Sequence, residues 1–282
     1  MRKLMFGLFG LTVSLTWAQT RVTSLTGDIR VHPDFESKSL GNKRQVTVYL
    51  PPGYDASPKR RYRVLLMHDG QNIFDGMRSF IPNQEWRADE TATSLIEAGL
   101  IEPIIIVGVD NAGMDRGNEY LPLEIRAGGG QKMGGKADQY AAFLIGEVLP
   151  FIKKTYRVAP GKVGVCGSSF GGIISLHLGL AHPEVFDRIG VFSPSLWVGG
   201  GAMTRRVAAL PRAFASRFWI DMGTQEAPEA EAAAKGLGQA FVARGWKMGE
   251  NVTVVIDKGA QHNERAWAQR FPSFLMWMYG RR

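Results

Sequence analysis

Apolar and polar side chains alternate from Gln45 to Leu50, the period of a strand with one buried face, and Pro51-Pro52-Gly53 supplies the turn that ends it. Val64 to Met67 is a short apolar strand, and Ile104 to Val109 is a β-branched run suited to burial on both faces. Further strands are predicted over Lys162–Cys166, Arg188–Phe192, Phe218–Met222 and Val252–Ile256. Between them the period changes. Arg87 to Ala98 reads as a helix stopped by Gly99, and in Ala137–Tyr156 the side chains of Tyr140, Phe143, Leu144, Val148, Phe151 and Ile152 share one face. Helices are also predicted over Gly171–Ala181, Glu229–Arg244 and Glu264–Met278, and Asn111–Gly135 reads as a long glycine-rich loop. Strands alternating with helices imply an α/β fold with a mainly parallel central sheet and helices on both faces. No repeat or interdomain linker interrupts the pattern, so residues 19–282 are expected to form one domain.

The first residues read differently. Arg2 and Lys3 precede an uncharged, mostly apolar stretch from Met5 to Trp17, followed by Thr16-Trp17-Ala18 with small residues where a signal peptidase reads. The run is short for a bilayer span of about 20 residues. A cleaved signal peptide over 1–18, and a secreted or periplasmic product without stable membrane insertion, are expected. Apolar residues make up 45 % of the 282 positions and charged residues 21 %, enough for a substantial core. The net charge of +8 falls to +6 without Arg2 and Lys3, and its densest cluster, Lys59-Arg60-Arg61-Tyr62-Arg63, leads into a strand. No basic helical stripe or nucleic-acid motif accompanies it, so no nucleic-acid partner is expected. The single cysteine, Cys166, excludes an internal disulfide framework and a cysteine-rich metal site.

Chemistry in such sheets gathers at the carboxyl ends of the strands. Gly167-Ser168-Ser169-Phe170-Gly171 has the pattern G-x-S-x-G, with a strand leading in and a helix leading out, the context of a nucleophile elbow centred on Ser169. A serine hydroxyl needs a base. Of five histidines only His68 and His262 fall in strand-end loops, and His262 alone has the chain order of such sites. The acid orienting it should follow the strand Phe218–Met222. Glu226 in the loop beyond is favoured; Asp221 within the strand and a Ser–His dyad remain alternatives. Oxyanion donors are expected from the backbone N–H of Phe170 and, in the loop His68-Asp69-Gly70-Gln71-Asn72, from that of Gln71, with Gly70 next. No metal-ligand cluster stands out, and Ser–His chemistry requires no cofactor.

Several segments together resemble the putative-esterase family of α/β-hydrolases, which includes enterochelin, feruloyl and acetylxylan esterases, S-formylglutathione hydrolases and mycolyltransferases. They are Tyr49–Tyr54, His68–Asp75, Glu85-Trp86, Arg116 with Glu119-Tyr120, Gly167–Gly172, Ser193–Trp197 and His262–Glu264, within about Val46 to Tyr279. The resemblance implies an α/β-hydrolase fold and a serine carboxylic-ester hydrolase acting through an acyl-enzyme. It puts the nucleophile at Ser169, the base at His262 and the acid at Glu226, where many relatives carry aspartate. The wording is nearest the enterochelin-esterase-like branch, which implies small acyl esters of sugars, aromatic acids or siderophores. Trp197 and Tyr120 are candidates to wall an acyl or aromatic group, and Arg116 to contact a carboxylate or hydroxyl; the plainer reading has buried aromatics and a structural Arg116–Glu119 pair. Transfer of the acyl group to a sugar or lipid hydroxyl is an alternative. An alternative of another class is a non-catalytic carbohydrate- or siderophore-binding module.

Overall fold

Eight strands form one sheet among the residues described by the computed structural model, 23–126 and 130–281. The expected signal segment 1–18 lies outside the described residues. The strands are β1 (Asp28–Ser37), β2 (Asn42–Leu50), β3 (Arg63–His68), β4 (Ile104–Val109), β5 (Val163–Ser168), β6 (Phe186–Phe192), β7 (Arg217–Gly223) and β8 (Val252–Asp257). Their spatial order is β1-β2-β4-β3-β5-β6-β7-β8. β2 runs antiparallel to both its neighbours, and the six strands from β4 to β8 pair in parallel.

Helices cover both faces, as the alternation predicts. Helices α2 (137–155), α3 (Phe170–Ala181), α4 (Ala202–Ala208) and α5 (Ala230–Ala243) share one apolar cluster with Val64, Leu66, Val107 and Val165. Helices α1 (Ala88–Glu97) and α6 (Glu264–Tyr279) pack on the opposite side against Leu65, Met67, Ile106 and Cys166. Successive residues of β3 therefore feed different layers, which is why Val64–Met67 shows no polar position. The same holds for β4, buried at all six residues.

Three features were not anticipated. β1 is an edge strand rich in polar residues; Pro33 lies at its bulge between His32 and Phe35, a place where a missing N–H is tolerated. The loop expected over 111–135 holds a short helix, Arg116–Tyr120, and a small hairpin pairing Ile125–Arg126 with Lys132–Met133. Helix α2 widens into a π turn at Leu144–Val148. There Glu147 accepts the N–H groups of Lys38 and Ser39 at 2.8 and 2.9 Å, fastening the β1–β2 turn to the body. No helix among the described residues is long and apolar enough to cross a membrane.

Candidate active site

β5 ends at Ser168 and α3 begins at Phe170, leaving Ser169 alone in the turn at φ 60°, ψ −120°. A non-glycine residue rarely holds this conformation, and its neighbours enforce it. Ser169 N–H donates to the Phe192 carbonyl at 3.0 Å, while its own carbonyl accepts from Gly172 and Ile173 at 3.1 and 3.2 Å. The flanking glycines permit the close approach: a Cβ on Gly172 would lie 2.9 Å from the Phe192 carbonyl oxygen, and one on Gly167 3.0 Å from His68 Cδ2. Ser169 Oγ stands 3.3 Å from Ser195 Oγ.

Two loops meet beside this turn, one after β7 and one after β8. Gln225 N–H donates to the Ala260 carbonyl at 3.0 Å, and Gly259 N–H to Thr224 Oγ1 at 2.9 Å. Gly223 makes the junction possible, because a Cβ there would run into the Ala260 carbonyl. The loops bring His262 Nδ1 within 2.8 Å of Glu226 Oε2. The second carboxylate oxygen, Oε1, accepts from Gly223 N–H at 2.7 Å and Ser193 Oγ at 2.6 Å. Burial by itself would raise the Glu226 pKa, but these bonds to the ionised form outweigh it and hold the carboxyl below its ordinary range. The indole of Trp267 meets the His262 ring edge to face, with centroids 5.1 Å apart. An imidazole whose Nδ1–H is held by an ionised carboxylate presents Nε2 as a proton acceptor.

Asp221, the alternative acid, is elsewhere. It is fully buried, and its oxygens accept from Ser193 N–H (3.1 Å), Arg270 Nη2 (3.0 Å) and Trp219 Nε1 (2.8 Å). Burial pushes its pKa up to about 6 despite the Arg270 charge. It belongs to a buried support that the sequence reading missed. Ser193, at φ 38°, donates to Glu226 and receives Trp267 Nε1 at 2.9 Å and Arg270 Nη2 at 2.7 Å. Arg270 also lies 3.4 Å from Asp257 and 3.8 Å from Glu226. The one visible signal was a charged residue inside the apolar stripe of a helix.

Ser169 and His262 line one cavity of about 550 Å³, with Asp69, Gln71, Asn72, Arg116 and Trp267 among its other walls. Phe170 opens α3 and Gln71 sits in the first turn of a 3-10 helix, Gly70–Asn72. Amides at such positions have no partner within their own helix. No group of three His, Cys, Asp or Glu among the described residues is placed to hold a metal ion.

Comparison with known proteins agrees with this architecture. Residues 37–278 match the family model described as Putative esterase. The chain belongs to that family. It is a carboxylic ester hydrolase of the α/β-hydrolase fold. Protein YbbA of Bacillus subtilis is 25 % identical over 256 residues, covering 87 % of this chain and 96 % of that protein. A siderophore enterobactin esterase of Emericella nidulans is 31 % identical over 155 residues, 51 % of this chain and 49 % of its own length. The crystal structure of the BES protein from Bacillus cereus superposes with a TM-score of 0.70 at 18 % identity, covering 94 % of this chain and 98 % of that one.

Of the three residues expected to meet substrate in this esterase, only Arg116 lines the cavity. It pairs bidentately with Asp69, Nε to Oδ1 at 2.7 Å and Nη2 to Oδ2 at 2.8 Å. The Arg116–Glu119 pair is not formed, because Glu119 is buried against Arg44 at 2.8 and 2.9 Å. Tyr120 does not wall the cavity. It is fully buried, its ring packs near His68 and its hydroxyl accepts Asp69 N–H at 3.2 Å, so it supports the loop from below. Trp197 is also outside the cavity lining; it is exposed on the surface beside Phe170, with centroids 6.3 Å apart. Sequence spacing could not reveal either placement, since both depend on how the loops fold over the strand ends.

Proposed function

We propose that this esterase cleaves small acyl esters of sugars, aromatic acids or siderophores with a Ser169–His262–Glu226 triad. The observation that carries the reading is the 2.8 Å contact of His262 with Glu226 in a cavity that also holds the strained Ser169. His262 Nε2 takes the hydroxyl proton as Ser169 Oγ attacks the ester carbonyl carbon. The N–H groups of Phe170 and Gln71 receive the oxyanion. Collapse expels the alcohol, protonated by His262, and leaves an acyl group on Ser169. Water, deprotonated by the same imidazole, then releases the acid and restores the serine. The siderophore enterobactin esterase among the relatives supports keeping siderophore esters in the substrate set.

The experiment is Ser169→Ala with a fluorophosphonate control. Hydrolysis of p-nitrophenyl acetate should fall by orders of magnitude, up to about 10⁶-fold, and the label should be found on Ser169 in the unsubstituted enzyme. Wild-type turnover in the variant, or labelling of another serine, overturns the assignment. The basic pair and apolar run at the N-terminus support export, so the mature chain is expected to begin at Gln19; mass spectrometry of the exported protein reads this, and a chain retaining Met1 refutes it.

A further inference from the structure

Two large apolar side chains stand in water at the cavity mouth: Met114 is 98 % and Phe80 81 % exposed. Single exposed apolar residues are ordinary on protein surfaces. These two come from separate loops and line the same cavity as Ser169 and His262. Each is hung on a polar frame that reaches the cavity wall. Phe80 N–H donates to Asn72 Oδ1 at 2.9 Å, and Asn72 Nδ2 donates to Glu264 Oε1 at 3.1 Å. Met114 sits in a turn fixed by Gly113 N–H donating to Asn111 Oδ1 at 2.8 Å, while Asn111 Nδ2 donates to Asp69 Oδ1 at 2.7 Å. Half-buried Ile81 and buried Trp267 extend the apolar strip inward to His262.

The charges in the lining narrow what can follow that strip. Asp69, Glu264, Arg116 and the imidazole of His262 are its ionisable groups. The Arg116 guanidinium is already matched by Asp69 in a bidentate pair, so it adds hydrogen-bonding capacity without net positive charge. Glu264 has its pKa raised chiefly by burial, with the Asp69 carboxylate adding to the shift and His262 and Arg116 opposing it, so a carboxylate in this wall is penalised mainly by loss of water. An anionic group entering would lose water and find no unmatched cation. The sequence as a whole is basic, at +8 over the full chain and +6 without Arg2 and Lys3, but the cavity wall carries no such excess.

We propose that Phe80 and Met114 form a subsite for an uncharged aryl or alkyl arm of the ester, and that the enzyme rejects esters whose free arm carries an anion. This rests on the hydrolase reading above and narrows its substrate class.

The test uses matched ester pairs, one member ending in a phenyl ring and the other in the same ring with a para-carboxylate. One pair carries the ring on the acyl side and one on the alcohol side. In the unsubstituted enzyme, kcat/KM should favour the uncharged member at least tenfold in one pair. In the Phe80→Ser/Met114→Ser double variant that ratio should fall below about threefold. Equal kcat/KM within both pairs, preference for the carboxylates, or a ratio unchanged in the double variant overturns the proposal. Calorimetric titration of the Ser169→Ala protein with the corresponding amides separates this from the catalytic assignment. A tenfold affinity preference there, with no ester turned over by the intact enzyme, leaves the subsite standing and removes the triad. Turnover with no preference in either assay does the reverse.

Discussion

Glu226→Gln should cost more activity than deleting the side chain altogether. Oε1 is surrounded by donors: Gly223 N–H at 2.7 Å, which cannot become an acceptor, Ser193 Oγ at 2.6 Å and Arg270 Nη2 at 3.8 Å. A glutamine amide keeps its oxygen on that side, because the reverse orientation sets –NH₂ against the Gly223 N–H and forfeits a buried bond worth about 1–3 kcal/mol. Its –NH₂ then faces His262 Nδ1, and the imidazole proton must sit on Nε2, the nitrogen proposed as the base. A histidine held in the wrong tautomer lowers kcat by about 10⁴-fold where the acid becomes an amide. Glu226→Ala leaves Nδ1–H free to meet water, since the His262 side chain is 41 % exposed, and the tautomer is not forced. The alanine variant should therefore keep about tenfold more activity, equivalent to about 1.4 kcal/mol in the barrier. Asp221→Asn breaks a buried pair with Arg270, so it should cost about 3 kcal/mol of stability while lowering kcat far less. Steady-state kinetics on p-nitrophenyl acetate and urea unfolding of the three variants measure these effects. Activity of Glu226→Gln within tenfold of the unsubstituted enzyme, or above that of Glu226→Ala, refutes the reasoning.

Ser193→Ala removes a short bond to Glu226 and leaves the Trp267 indole N–H without its acceptor. It should lower kcat about tenfold (about 1.4 kcal/mol) with little change in KM, and Ser193→Gly, which suits φ 38°, should unfold at higher urea than Ser193→Ala although it lacks the same hydroxyl. A pH effect is expected where the chain enters β1. Asp89, whose oxygen accepts from Thr26 N–H at 2.7 Å, has its pKa pushed by burial from 3.8 to about 8. The folded state then binds more protons than the unfolded state between those values, so stability should fall as pH rises from about 4 to 8. Urea midpoints across that range should show a smaller fall in Asp89→Asn, and an equal slope in the two proteins contradicts the assignment.

Much of this esterase is legible along the chain because its strongest signals are local. Apolar runs too short for helices, β-branched in β4, specify β3 and β4, and the change of period between strands specifies α1, α2 and α6. The Ser169 turn is local too: the G-x-S-x-G pattern, the strand before it and the helix after it lie in one contiguous segment. β1 escaped notice because an edge strand with polar side chains and a proline carries almost no period. The sequence left Glu226, Asp221 and a Ser–His dyad open as the arrangement around His262, and only Glu226 lies against that imidazole. Asp221 lies within β7, where its side chain is buried with Trp219 and Arg270, whereas Glu226 lies in a loop free to turn back over the strand ends. That Ser193, Trp267 and Arg270 meet behind Glu226 could not be read from spacing, since Ser193 is 74 residues from Trp267 and 77 from Arg270. Exposure was equally hidden: Tyr120, Trp197, Phe80 and Met114 are all large and apolar in the sequence, yet Tyr120 is buried, Trp197 stands outside the cavity, and the other two edge its mouth. Backbone preference and hydrophobic period act between near neighbours and can be read one segment at a time. Which side chains meet around a strand end depends on sheet order and loop paths, and those exist only once the whole chain has folded.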